Sequence, residues 1–309
     1  MPDPARSRAA AAAAEAATAA VKLAKAGAPP AQIAAAAIEL HGLLTTCGKC
    51  AAHVFQSPAM QENFGLEVAT TVNTTRAAAK AVFSKLREAD PAADAAPWVA
   101  LVARCMQLSG AALAATVLTP DSAELQENNQ RPPVMQDLSH ILQTELDDVE
   151  WLVQHMQAVS SSGSSSASSS SSSGVTGATA KELQQLQEQQ EELELGLWKA
   201  VKALQTWSNT PVVTAADLLQ EARREVKPAV AQQLEAFGAA VAAQVPMKLC
   251  CNRPGCSNLE QLSESALVGG KGNICSGCKL ARYCGKDCQV QHWKQHKTAC
   301  KRMQAAQTR

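Results

Sequence analysis

Apolar side chains recur at helical spacing through most of the first 250 residues. Between 98 and 118, Trp98, Leu101, Val102, Cys105, Leu108, Ala112 and Leu113 lie near one stripe, the pattern of a buried helix face. Proline and polar clusters interrupt the pattern near Pro29 and Pro30, Pro58, Pro91 to Pro97, Pro120, and Pro132 and Pro133. Between these breaks the spacing predicts helices over 6–27, 31–46, 61–88, 98–118 and 135–158. Short connections favour antiparallel neighbours, in an α-bundle or an irregular solenoid. No fixed period marks a repeat family.

The periodicity stops at a Ser/Gly run over 160–177, which holds no core-forming side chain beyond Val175. Such a segment cannot offset its ordering entropy and reads as a flexible linker. Beyond it, Leu183, Leu186, Gln190, Leu193, Leu197, Ala200, Leu204 and Trp207 alternate between the a and d positions of a heptad. That pattern fits a short coiled coil, with self-association through 183–207. It fits equally an amphipathic helix folded against 214–245. The second reading is preferred, because the pattern ends sharply between Asn209 and Pro211.

Composition supports the helical reading. Alanine runs dominate, aromatic residues are 3% of the chain, and β-branched runs are scarce. Small alanine faces pack closely but bury little area each, so modest stability is expected.

The last fifty residues differ from everything before them. Eight of the eleven cysteines fall between Cys250 and Cys300. Seven of these, with one histidine, form ordered pairs: Cys251 with Cys256, Cys275 with Cys278, Cys284 with Cys288, and His296 with Cys300. Cysteines two to four residues apart can aim both sulfurs at one ion from a tight turn. A histidine and a cysteine four positions apart share one helix face. Eight such donors satisfy two tetrahedral zinc ions and leave no position open for water or substrate. Disulfides would need an oxidising compartment, and no signal peptide is evident. Cys250 stands beside Cys251 and could take its place.

The stretch C-S-G-C-K-L-A-R-Y-C-G-K-D-C-Q-V-Q-H-W-K-Q-H-K-T-A-C, residues 275–300, resembles a MYND-type zinc finger. The resemblance implies a cross-braced module. Cys251, Cys256, Cys284 and Cys288 would hold one zinc ion, and Cys275, Cys278, His296 and Cys300 the other. Two features depart from the family pattern: four residues inside the first knuckle, and a long Ser- and Gly-containing loop from Cys256 to Cys275. The resemblance also implies a groove for proline-containing peptides, at the positions of Ser276, Gln289 and Trp293. A flat indole suits a preformed polyproline-type ligand. The alternative is that Trp293 forms the small core of the module. Tyr283 reads as a packing residue, and His292 as a solvated helix residue.

Charge separates the two parts of the chain. Residues 248–309 carry eleven Lys and Arg against three Asp and Glu, a formal +8, and the remainder carries −8. Zinc-bound thiolates would lower the module to about +5. A basic surface of this kind admits a nucleic-acid-binding zinc protein as the alternative function. One tyrosine and one tryptophan make a poor stacking platform, so weak or no nucleic-acid binding is expected. Cys47, Cys50 and His53, with His41 upstream, lack the context of a redox pair or a haem site and read as helix-end residues. Cys105 reads as core.

The chain contains no phosphate loop, nucleophile elbow or H-E-x-x-H, so no enzymatic activity is expected. The expected architecture is mostly α. An Ala-rich helical domain spans 1–159, a linker 160–180, a helical hairpin or short coiled coil 181–246, and the finger 247–303. The expected function is an adaptor with two zinc ions that recruits partner proteins through proline-containing motifs, with transcriptional regulation as one setting. No membrane partner is expected. The nucleus or cytoplasm is the expected location, although the Ala-rich, Arg-containing start has some character of an organellar transit peptide.

Overall fold

The computed structural model describes residues 96–118, 134–162 and 180–208, and most of 228–307. It also describes Arg224, the stretch 76–88 and scattered positions between 15 and 73. Among the described residues 81% are helical, and none forms a strand. The helices are α1 (Ala96–Leu118), α2 (Val134–Ser162), α3 (Ala180–Ser208), α4 (Pro228–Gln244), the single-turn α5 (Glu264–Val268) and α6 (Lys286–Gln307). Each of α1 to α4 packs on the next, and α4 returns to α1, so the four close into a bundle. The helical stretch 76–88 lies beside it, and α6 docks on α4.

Helix α1 is buried nearly all round. Besides the stripe expected from the sequence, Val99, Ala100, Ala103 and Met106 are all buried. Burial thus extends beyond the expected face, where Trp98, Leu101, Val102, Cys105 and Leu113 are buried. An alanine-rich helix with apolar residues on every side belongs at the centre of the molecule. Its closest neighbour is α4, and two glycines explain how close. A Cβ on Gly110 would lie 2.5 Å from the Glu235 backbone nitrogen, and one on Gly238 would lie 2.6 Å from the Ala103 oxygen and the Gln107 nitrogen. Rising numbers on α1 meet falling numbers on α4, so the two helices run antiparallel, backbone against backbone. Gly238→Val is expected to lower stability by about 3 kcal/mol, because the neighbouring atoms are backbone and cannot rotate away. Chemical denaturation monitored by helical circular dichroism measures this loss, and an unchanged midpoint would refute the crossing.

The heptad leucines of α3 are spent inside the chain. Leu186, Leu193, Leu197, Ala200 and Leu204 are buried in the bundle core against α2 and α4. The alternative of an intermolecular coiled coil on that stripe is corrected accordingly. Its apolar face already has a partner. Gln190, assigned as the register residue, donates to Glu194 at 2.6 Å on the same helix. Helix α2 runs to Ser162 and α3 begins at Ala180, so both ends of the proposed 160–180 linker are helical, and 163–179 lies outside the described residues. So do Cys47, Cys50, His53 and His41.

A buried charge cluster ties 76–88 to α2. Arg76, fully buried, reaches Asp148 at 2.6 Å and also pairs with Glu145, while Lys80 meets Asp148 at 2.6 Å. Burial opposes the charge on Arg76, but Glu145 and Asp148 outweigh it, and the guanidinium pKa is raised. Phe83 continues the same seam, 6.0 Å from Trp98 and 5.9 Å from Trp151. Cys105 is fully buried, and burial pushes its thiol up to about 12.

Candidate metal centres

The core of the bundle and that of the C-terminal module meet between two adjacent cysteines. Cys250 is buried with the bundle residues, and Cys251 with the residues of the module. Asn252 fixes this junction. Its side chain accepts from the Met247 N–H at 2.8 Å and donates to Met247 O at 2.7 Å and Arg282 O at 3.0 Å. One buried amide thus joins the end of the bundle to the module's hairpin. A lone asparagine in a loop gives no sequence signal of such a role.

The hairpin holds the second pair of cysteines. Cys275 N–H donates to Ala281 O and Tyr283 N–H to Asn273 O, each at 2.8 Å, around an antiparallel bridge between Ile274 and Arg282. Lys279 turns the chain with a φ of 56°. Gly277 permits the C-S-G-C turn to close, because a Cβ there would lie 2.7 Å from the Cys300 sulfur. Helix α6 then supplies Cys288, His296 and Cys300 from one element, and Gln307 donates to Cys278 O at 2.7 Å to seat its far end.

These elements gather the donors into two groups of four. Cys251, Cys256, Cys284 and Cys288 form one, and Cys275, Cys278, His296 and Cys300 the other, with the donor atoms of each group within 4.8 Å of one another. The first has sulfur–sulfur distances of 3.7 Å (Cys256 to Cys284), 3.3 Å (Cys284 to Cys288) and 3.9 Å (Cys288 to Cys256). The second has 3.7 Å from Cys275 to Cys300, and 3.5 Å from the Cys278 sulfur to His296 Nε2. A regular tetrahedron with zinc–sulfur bonds near 2.3 Å has edges of about 3.8 Å, and a sulfur–nitrogen edge of about 3.5 Å. The spacing fits zinc in both groups.

The clustered thiols also shift one another's acidity. A hydrogen bond from the Cys251 thiol pushes Cys256 down to about 4, and one from Cys278 pushes Cys275 down to about 3. Their neighbours move the other way, with burial pushing Cys288 up to about 12 and raising Cys300. Cysteines this close cannot all be thiolates unless a cation shares the space.

Residues 255–300 match the family model of the MYND finger. No solved structure matches the chain. The match covers the last five cysteines of the pattern, Cys256 and His296. Cys251 precedes it and enters its group on geometry alone. The finger, with two four-donor groups, is a module for two zinc ions. Modules of this family generally mediate protein–protein interaction.

Other residues of the finger depart from expectation. His292 is not solvated. It is 2% exposed, its Nδ1 lies 3.2 Å from the Tyr283 hydroxyl, and its ring stacks on His296. Burial pushes its pKa down to about 3, so it packs as a neutral ring. The i,i+4 spacing from His296 places it on the inward face, which explains the correction. The long loop after Cys256 contains a helical turn among its described residues. This turn is α5, whose Leu267 and Val268 are buried and whose Glu264 accepts from the Cys251 N–H at 3.3 Å. Glu264 pairs with Lys49 at 2.5 Å, and Lys49 also donates to Asn258 O at 3.0 Å. Arg302 of α6 reaches Glu182 of α3 and Gln244 of α4. The finger is therefore clamped to the helical part at several points.

The three groove positions lie at or near the surface. Trp293 is 44% exposed on α6 with its ring 6.3 Å from that of His296, Gln289 is half-buried one turn earlier, and Ser276 is exposed in the C-S-G-C turn. Trp293 is thus not the core of the module, a role filled by Tyr283, Ala299 and Met303. Among the described residues no helix is long and apolar enough to cross a membrane.

Proposed function

We propose that this protein is a non-catalytic adaptor whose C-terminal finger recruits partner proteins by their proline-containing segments. In this reading Cys251, Cys256, Cys284 and Cys288 ligate one zinc ion, and Cys275, Cys278, His296 and Cys300 the other. Both ions are structural, since each has four protein donors. The observation that carries the reading is Trp293, a large aromatic ring left 44% exposed on the helix that also carries zinc ligands, with its ring 6.3 Å from that of His296. In this reading Gln289, one helical turn before Trp293, and Ser276 would supply polar groups, and the peptide's proline rings would lie on the indole. The helical bundle serves as the rigid body to which the finger is clamped. Transcriptional regulation in the nucleus, or assembly in the cytoplasm, are the settings this chemistry suits. Nucleic-acid binding through the basic finger is expected to be weak and to fall steeply with salt.

A small interface around one aromatic anchor supports micromolar affinity, roughly −7 to −8 kcal/mol. Trp293→Ala is expected to weaken binding of a proline-containing peptide by at least tenfold, on the order of 1.4 kcal/mol, while both zinc ions stay bound. Calorimetric titration with a peptide library hit, alongside elemental analysis, tests this. Full binding by the substituted protein would place the groove elsewhere.

A further inference from the structure

Four large hydrophobic side chains are exposed among the described residues, and they form two pairs with the same spacing. Leu195 and Trp198 lie three residues apart on α3, 53% and 51% exposed, and Val290 and Trp293 lie three residues apart on α6, 63% and 44% exposed. The surroundings of the pairs are opposite in charge. One turn before Leu195 stands Glu191, with Glu188 a turn earlier on the same face. One turn after Trp293 stands Lys297, with Lys301 a turn later. The imbalance extends to the whole chain, with +8 in residues 248–309 and −8 in the rest.

We propose that the α3 face is a docking surface for α6 of a second copy of this chain. In the antiparallel register that sets Trp198 opposite Val290 and Leu195 opposite Trp293, Glu191 falls opposite Lys297, and Glu188 falls one residue from Lys301. The parallel register brings Lys202 against Lys297 and leaves Glu188 without a basic partner. The antiparallel one has a single like-charge meeting, Lys202 with Lys286, and Lys202 already lies over the Trp198 ring at 4.8 Å. Neither Glu191 nor Lys297 forms an ion pair with another described residue of its own chain. The contact joins two different faces, so it is heterologous. Two copies close it by docking α3 to α6 twice, or further copies extend it. A surface of one helix face per partner is small, so association is weak and dependent on concentration and salt. This inference is independent of proline recognition, although it occupies the same tryptophan and would compete with peptide.

The test is the mass of the zinc-loaded full chain by sedimentation equilibrium. At about 50 mM salt the mass should rise with concentration above the 32.4 kDa of one chain, and return to it at about 500 mM salt. Trp198→Ala and Trp293→Ala should each abolish self-association, and an equimolar mixture of the two should pair, because each variant keeps one intact face. Glu191→Lys and Lys297→Glu provide a second such pair on exposed positions that leave the fold untouched. Peptide binding should survive Trp198→Ala, which separates this surface from the recruitment groove. A wild-type chain that stays monomeric at every concentration would overturn the proposal. So would single variants that associate like wild type, or a mixture that does not pair.

Discussion

Cys284→Ser is expected to cost the chain its finger. The substitution removes one of four donors from the first group, whose remaining members Cys251, Cys256 and Cys288 come from both ends of the module. The finger's own core consists of little more than its cysteines, Tyr283, Val268, Ala281, Ala299 and Met303. Structural zinc contributes on the order of 10 kcal/mol to the folding of such modules, more than a core of that size can replace. The cross-brace spreads the damage, because Cys284 and Cys288 flank the hairpin and helix that carry the second group. Zinc content should fall from two to one or fewer per chain, and amide hydrogens of residues 251–307 should exchange freely. The bundle should keep its helices, since its core ends at Cys250. Cys250→Ser provides the control. It leaves both zinc ions in place and costs about 1–2 kcal/mol through a hydroxyl placed in the bundle core.

Arg76→Met is expected to destabilise the bundle by about 3–5 kcal/mol, the second largest effect. Arg76, Glu145 and Asp148 are all fully buried, and one guanidinium serves two carboxylates. Methionine fills the space and leaves only Lys80, itself partly exposed, against two buried anions. Burial already raises the Glu145 pKa with Arg76 present. Without Arg76 it should rise further, so the variant should recover stability as pH falls and the carboxyl takes up a proton. The triple variant Arg76→Met, Glu145→Leu, Asp148→Leu should regain much of the loss, because replacing a whole buried ion cluster by apolar groups is often neutral. Denaturation midpoints at neutral and mildly acidic pH measure both effects. A single variant as stable as wild type would remove the cluster from the account.

The metal centres were legible in the sequence because their information is local. Each knuckle is a pair of donors within five residues, and the spacing alone limits what they can bind. Helices 98–118 and 135–158 were legible for the same reason, and the structure extends each by only a few residues. What the sequence hid is long-range. Lys49 and Glu264 lie 215 positions apart, and nothing in either neighbourhood points to the other. Arg76 sits in an ordinary amphipathic stretch, and its burial depends on where α2 passes. The leucine stripe of α3 reads alike whether the covering helix belongs to the same chain or another. His292 read as solvated because one histidine had already been assigned to zinc, whereas the inward face of α6 holds both.

The central claim is that eight side chains bind two zinc ions in two closed groups. X-ray absorption at the zinc edge, with elemental analysis on the same sample, tests it most directly. The account predicts two zinc ions per chain and four-coordinate sites that together hold seven sulfurs and one nitrogen. A single zinc ion, or an oxygen or second nitrogen in the average shell, would contradict it.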